Sequence, residues 1–268
     1  MFSRLRTYLH HRRRLDFLIA GAEKAGTTAL FAYLRRIPGI YMPIIKELHF
    51  FDRDDRYGDG SDFSRLHKWY LLAPPGALIG EATPTYLMNI GSLPRIYDYN
   101  PDIKVIVLLR SPVRRAYSAW NYRRARLRDK RDFMTAVRVE VESGGDLAVA
   151  RENKYRYIGA GRYAGQIRAA RRVFAAENLM LLKYEDFARD QAAHVRSVVR
   201  FLDGRQDVTV PTVRRVNAWR YDRLMSRAEF DAVLKLYEGE IAEVEALTGW
   251  DCGDWRNFEG STAAAPWR

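Results

Sequence analysis

The first residues equipped for chemistry are Lys24-Ala25-Gly26-Thr27-Thr28. A lysine, a glycine and two hydroxyls stand directly before the helix-compatible stretch Ala29 to Leu34. Loop and first-turn amides have no intrahelical partner, and the helix dipole favours negative charge at that end, so the segment reads as an anion cradle to which Lys24 adds a full positive charge. Gly21 and Gly26 keep the glycine spacing of an ATP-type phosphate loop, but Thr27 stands where that loop carries its lysine. A second reactive set is Lys46-Glu47-Leu48-His49. In an extended segment Glu47 and His49 share a face, and a carboxylate beside an imidazole can do general acid–base work. The plain alternative there is a surface glutamate near an ordinary histidine. A third set is Arg110 with Ser118, at a strand end and nearly two turns into the following helix, a spacing that lets both converge on one phosphate.

These residues need elements to hold them. Phe17 to Ala20 reads as a buried strand, Gly21 and Gly26 bracket the loop, and Thr27 or Thr28 is expected to cap the helix that follows. Pro38-Gly39 breaks the chain, and Ile40 to Met42 is expected to be extended. Residues 52–62 read as a loop, Ser61 to Leu72 as a helix, and Ala77 to Gly80 as a second buried strand. That strand leads into the polar run Glu81-Ala82-Thr83-Pro84-Thr85, where a parallel sheet usually has its ligand crevice. Ile103 to Leu109 is the clearest strand, β-branched and apolar throughout except Lys104, and Pro112 suits the first turn of the next helix. Helices are expected over 132–142, 161–175 and 190–202, a strand over 179–183, and one long helix over 226–247 begun by the capping box Ser226-x-x-Glu229. The resulting class is α/β: a P-loop-like three-layer fold whose central, mostly parallel sheet is flanked by helices.

The 268 residues, 47% hydrophobic and 29% charged, suit one packed α/β domain over 15–256, with a basic arm at 1–14 and a tail at 257–268. No apolar run is long enough to span a bilayer, and the first residues do not read as a signal peptide. A single cysteine, Cys252, excludes an intrachain disulfide and fits a reducing, cytoplasmic setting. The five histidines have no metal-ligand spacing, so no metal is expected. The net charge of +12 rests on thirty-seven arginines and eight lysines, which suits a polyanionic ligand. Most of these arginines, including Arg115, Arg123, Arg124, Arg126 and Arg128, read as a solvated basic face. No zinc finger, basic zipper or aromatic RNA-binding consensus is present, so no specific nucleic acid is expected. The arm, with Arg4, Arg6, Arg12, Arg13 and Arg14 between apolar residues, reads as a frayed segment or as one that touches an anionic membrane surface weakly.

Taken together, the chain resembles the sulfotransferases that use 3′-phosphoadenosine 5′-phosphosulfate (PAPS), and within them the branch of heparan sulfate sulfotransferase domains and bacterial relatives. Lys24-Ala25-Gly26-Thr27-Thr28-Ala29-Leu30 resembles the 5′-phosphosulfate loop. Arg110-Ser111-Pro112 through Arg115-Ala116-Tyr117-Ser118 resembles the 3′-phosphate motif. Lys46-Glu47-Leu48-His49-Phe50-Phe51 resembles the segment of the catalytic glutamate. Looser likeness runs through Gly159 to Tyr163, Asn178 to Phe187, Val216-Asn217 and Leu247 to Trp255. The resemblance implies in-line sulfuryl transfer from PAPS to a hydroxyl or amine of a carbohydrate or small-molecule acceptor, without a metal. Lys24, Ala25, Gly26, Thr27 and Thr28 would hold the 5′-phosphosulfate, Arg110 and Ser118 the 3′-phosphate, and Glu47 would act as base with His49 as the alternative. The branch has a lysine where this chain has Ala82, with Lys46 a candidate substitute. It also implies a late basic loop over the nucleotide, among residues 203–222 with Arg214, Arg215 and Arg220, while 144–160, with Lys154, Arg156 and Tyr157, suits a substrate lid. A P-loop-type kinase would need a lysine after Gly26 and an acidic metal-binding strand end. A non-catalytic basic anion-binding module would leave Glu47 unexplained.

Overall fold

The computed structural model describes residues 14–60, 62–143, 156–213, 221 and 223–258. The arm up to residue 13, Lys154, Arg214, Arg215, Arg220 and the tail from 259 lie outside the described residues. The described residues cluster into two compact units interleaved along the chain. One takes Met1–Ala22, Gly26–Leu108 and Arg168–Val216; the other takes Glu23–Ala25, Leu109–Ile167 and Asn217–Arg268.

The first unit carries the sheet. Strands β1 (Phe17–Gly21), β2 (Ile40–Tyr41), β3 (Leu78–Ala82), β4 (Lys104–Leu109) and β5 (Leu179–Lys183) lie in the order β2-β3-β1-β4-β5. The pairs β1–β3, β1–β4 and β2–β3 are parallel. All of β1, and all of β4 after Lys104, is buried, as a sheet covered on both faces requires. Phe17 pairs with Gly80, and a Cβ at Gly80 would fall 2.2 Å from the Phe17 ring, so only glycine allows that crossing. The β1–β4 register slips between Ile19 and Gly21, just where the chain leaves the sheet for the Lys24 loop. Asp16 fixes the entry to β1: its carboxylate accepts from Ile79 N (2.6 Å) and its amide donates to Ile79 O (2.8 Å).

Around the sheet stand α1 (Thr27–Leu34), the short α2 (Asp54–Tyr57), α3 (Ser64–His67) continued by a 3-10 turn to Tyr70, α4 (Thr85–Met88) and α5 (Ser92–Tyr99). The single helix expected over 61–72 is thus two short turns. Helix α5, for which the sequence raised no expectation, buries Leu93, Ile96 and Tyr99 on one stripe.

In the second unit, α6 (Pro112–Arg124) starts with Pro112 in its first turn and Ser111 as cap, and α7 (Phe133–Glu142) starts from the Asp132 carboxylate on Thr135 N (2.9 Å). Then comes α8 (Tyr163–Val173), within which the chain returns to the first unit at Arg168, followed there by α9 (Tyr184–Arg189) and α10 (Gln191–Asp203). The capping box at Ser226 is present, but the helix it begins does not run to 247. It divides into α11 (Arg227–Lys235) and α12 (Glu238–Thr248), followed by α13 (Gly253–Arg256). The break falls at Tyr237, fully buried, whose hydroxyl donates to the Ile158 carbonyl (2.8 Å). That long-range bond leaves no local sequence mark. Arg115 also departs from its reading as a solvated residue. It is fully buried and its guanidinium donates to the Tyr157 carbonyl.

Candidate active site

The loop after β1 is shaped by Gly26. Its φ of 89° is left-handed, it caps α1 with no side-chain bond, and a Cβ there would lie 2.6 Å from the Tyr184 ring. Glycine is therefore required by conformation and by space. Thr27 and Thr28 do not cap the helix as expected; they are its first two residues, because the chain turns one step earlier at Gly26. The Ala29 and Leu30 amides both bond to Gly26 O (2.9 and 3.2 Å), leaving the Thr27 and Thr28 amides ahead of the first helical bond. Ala25 and Thr27 are buried and Thr28 is half-buried.

Within the second unit Lys24 sits in a crowd of cations. Its ammonium lies 3.7 Å from the centroid of the Tyr122 ring, and the Arg126 guanidinium lies 3.8 Å from the same centroid. Arg110 Nη1 donates to the Lys24 carbonyl (3.2 Å). Burial lowers the Lys24 pKa from 10.5 to about 8; Glu23 opposes the shift, while Arg110, Arg123 and Arg126 add to it. Arg110 lies just past β4, with its carbonyl accepting from the Tyr163 hydroxyl (3.0 Å). Ser118 lies in the second turn of α6 and is 8% exposed.

In the first unit Glu47 and His49 come together, but not as neighbours on a strand. Residues 43–53 form a bent loop in which Glu47 (φ 67°) and His49 (φ 50°) both adopt left-handed backbone. The loop is fastened amide by amide to β3 and the turn after it. Glu47 N donates to Ala82 O (3.0 Å), Leu48 N to Glu81 Oε1 (3.0 Å), His49 N to Thr83 Oγ1 (3.3 Å) and Phe50 N to the Tyr86 hydroxyl (2.9 Å). Those bonds, rather than strand alternation, bring His49 Nε2 to 3.9 Å from Glu47 Oε2. As expected, Leu48, Phe50 and Phe51 face the core.

Lys46 Nζ lies 2.7 Å from Glu47 Oε1, and the Glu47 side chain is 46% exposed. His49 Nδ1 lies 2.9 Å from Asp52 Oδ2, and that bond raises the His49 pKa against the effect of burial. Burial pushes the Asp52 carboxyl up, but hydrogen bonds from His49 and Thr85 outweigh it and leave Asp52 below the ordinary carboxylate range. Asp52 and Glu81 are the residues that the sequence did not single out. The available signal was weak: Asp52 lies three residues after His49, and Glu81 opens the polar run at the end of β3. Beside Glu47 is a cavity of about 550 Å3 whose lining includes Leu48, Phe50, Arg56, Lys68 and Trp69. No group of three or more His, Cys, Asp or Glu is arranged to hold a metal among the described residues, and none of their helices is long and apolar enough to cross a membrane.

The model of the family described as "Sulfotransferase domain" matches residues 14–224. The chain belongs to that family. Among relatives, this sulfotransferase-family chain is 30% identical over 202 residues to human heparan sulfate glucosamine 3-O-sulfotransferase 6, covering 74% of this chain and 55% of the relative. It is 35% identical over 108 residues to the membrane-associated sulfotransferase kil1 of Dictyostelium discoideum, covering 40% and 22%. The chain thus spans about half or less of the length of these curated relatives. A crystal structure of a sulfotransferase from Alicyclobacillus acidocaldarius superimposes with a TM-score of 0.78 at 30% identity, covering 91% of this sulfotransferase-family chain and all of the other. The three-layer α/β fold is therefore that of the family. Within the second unit, Lys24 with the neighbouring arginines is a concentration of positive charge that suits an anionic group.

Proposed function

We propose that this chain transfers the sulfuryl group of PAPS to a hydroxyl or amine of a carbohydrate or small-molecule acceptor. The observation that carries the reading is Lys24, whose ammonium shares the Tyr122 ring with the Arg126 guanidinium and whose pKa is drawn down to about 8 by burial first and by Arg110, Arg123 and Arg126 after it. Positive charge concentrated this way is relieved by an anion, and two phosphates and a sulfuryl group supply one. PAPS brings a sulfur already bonded to a good leaving group. Lys24 would neutralise charge on the bridging oxygen as that S–O bond breaks, and the Thr27 and Thr28 amides would hold the 5′ end. Arg110 and Ser118 would bind the 3′-phosphate.

Glu47 would take the acceptor proton as the new bond to sulfur forms. It is preferred to His49 because the bond to Asp52 occupies His49 Nδ1 and raises its pKa, whereas Glu47 is partly exposed beside a cavity. Lys46 on Glu47 Oε1 would orient the base, occupying the role of the lysine absent at Ala82. The acceptor would enter the cavity beside Glu47. Its lining joins Leu48, Phe50 and Trp69 to Arg56 and Lys68, which suits a molecule with a flat apolar face and an anionic group. A sulfated glucosamine chain, the acceptor in the names of the 3-O-sulfotransferase relatives, is one such molecule and is the first acceptor to try.

The test is calorimetry with adenosine 3′,5′-bisphosphate, then ³⁵S transfer from labelled PAPS to a panel of heparan sulfate, simple phenols and aminosugars. Binding of the bisphosphate but not of ATP with magnesium supports the reading. Tighter binding of ATP with magnesium would replace it with a kinase.

A further inference from the structure

The carboxylate that the proposed chemistry does not use is Glu81. It lies on β3, fully buried and out of reach of any acceptor. Burial raises its pKa to about 7, with bonds from Thr83, Leu48 and Tyr86 pulling the other way. A buried carboxylate is costly unless hydrogen bonds hold it. Here they bear on one loop, directly at Leu48 and through Thr83 in the turn after β3. Glu81 Oε1 accepts from Leu48 N (3.0 Å) and from the Thr83 hydroxyl. Because Thr83 gives its one proton to Glu81, its oxygen is turned to accept from His49 N (3.3 Å). Leu48 is the residue between the two left-handed positions Glu47 and His49. A single carboxylate oxygen thus clamps, directly and through Thr83, the two amides between Glu47 and His49, those of Leu48 and His49 itself.

We propose that Glu81 is the positioning residue for Glu47, fixing the left-handed turn that presents the base and its neighbour His49. This rests on the reading of Glu47 as the base. The place needs one oxygen that accepts an N–H and an O–H together. Glutamine keeps such an oxygen, since an amide carbonyl also has two lone pairs, and can hold both bonds while losing the charge. Alanine leaves Leu48 N buried without an acceptor and frees Thr83 to turn, whereas Thr83→Val removes only the relay to His49 N.

The experiment compares the 268-residue wild type with Glu81→Gln, Glu81→Ala and Thr83→Val. It measures amide hydrogen exchange over residues 46–51, the imidazole titration of His49 by NMR, affinity for adenosine 3′,5′-bisphosphate, and thermal unfolding at pH 8. Exchange over 46–51 is expected to quicken at least tenfold in Glu81→Ala, by less in Thr83→Val, and to stay near wild type in Glu81→Gln, which keeps the accepting oxygen. The His49 pKa should fall in both Glu81 variants, since the Glu81 charge raises it. Bisphosphate affinity should stay within twofold. Glu81→Gln should unfold no earlier than wild type at pH 8, because it removes a buried charge and keeps the bonds. If Glu81→Ala does not fold, Thr83→Val decides alone. Unchanged exchange over 46–51 in Glu81→Ala or, failing that variant, in Thr83→Val, or quickened exchange spread equally through β1 and β4, would overturn the proposal. Its failure is separable from that of the base reading. Glu47→Gln leaves Glu81 and its bonds in place, so sulfuryl transfer surviving that change would discard the base while leaving the clamp intact.

Discussion

The Lys24 loop and the Glu47 loop strain the backbone in the same way and support it in opposite ways. Lys24, Glu47 and His49 all have positive φ without being glycine, a state costing about 1–3 kcal/mol each. In the Lys24 loop the neighbouring turn is set by a residue that fits it: Gly26 is left-handed at no steric cost, and the Tyr184 ring leaves room for nothing larger. In the Glu47 loop no glycine helps. The turn is held from outside, by Ala82, Glu81, Thr83 and Tyr86, all more than thirty residues away. In the roles proposed for them, the Lys24 loop works through backbone amides and tolerates small adjustment, while Glu47 as a base needs one carboxylate at one place, and the heavier bracing falls there.

The comparison is most exposed at Glu47. Glu47→Gln should lower sulfuryl transfer by about a hundred- to ten-thousand-fold, measured with labelled PAPS, with bisphosphate affinity within twofold. Loss of nucleotide affinity instead would move Glu47 from chemistry to binding. Next is Arg110→Ala, which should weaken adenosine 3′,5′-bisphosphate by roughly ten- to a hundred-fold, the worth of a charged hydrogen bond, and adenosine 5′-phosphate by far less. Equal weakening of both would remove Arg110 from the 3′-phosphate.

Gly26→Ala tests the self-supporting loop. A methyl group 2.6 Å from the Tyr184 ring, at φ 89°, should destabilise the fold by about 1–3 kcal/mol, read by chemical denaturation. A neutral result would mean that the turn is softer than its geometry. The smallest effect is in pH. Lys24 has its folded pKa depressed, so between about 8 and 10.5 the unfolded chain binds more protons and Lys24 makes stability rise with pH. A bound dianion favours the charged lysine, so bisphosphate affinity should fall as pH rises through about 8, by at most about tenfold per unit. Flat affinity from pH 7 to 9.5 in calorimetry would take Lys24 away from the anion.

The same contrast explains what could be read in advance. Features written in adjacent residues were legible: β1 and β4 from their apolar runs, β5 to the residue, Pro112 in the first turn of α6, and the Ser226–Glu229 capping box. Glu47 and His49 were singled out, but for the wrong geometric reason, since the strand that would align them does not exist. What set the true geometry was invisible in the local pattern. Glu81 looked like one more polar residue at a strand end, Tyr237 at the helix break has its partner seventy-nine residues away at Ile158, and Arg115 shares its type with Arg114, Arg123 and Arg124 on the same helix, which are half-buried or exposed. A residue whose partner lies far along the chain carries no local periodicity to betray it.

The Glu140 side chain has a consequence of its own. Its two oxygens accept from Ile158 N (2.9 Å) and Gly159 N (2.8 Å), joining the last turns of α7 to the chain just before the 3-10 turn at Gly159. The amides ahead of a helical turn have no partner within it, so α7 supplies from a distance the cap that the turn's own residues lack. A substitution at position 140 would be felt nineteen residues further on, at a spot no local reading of the helix would point to.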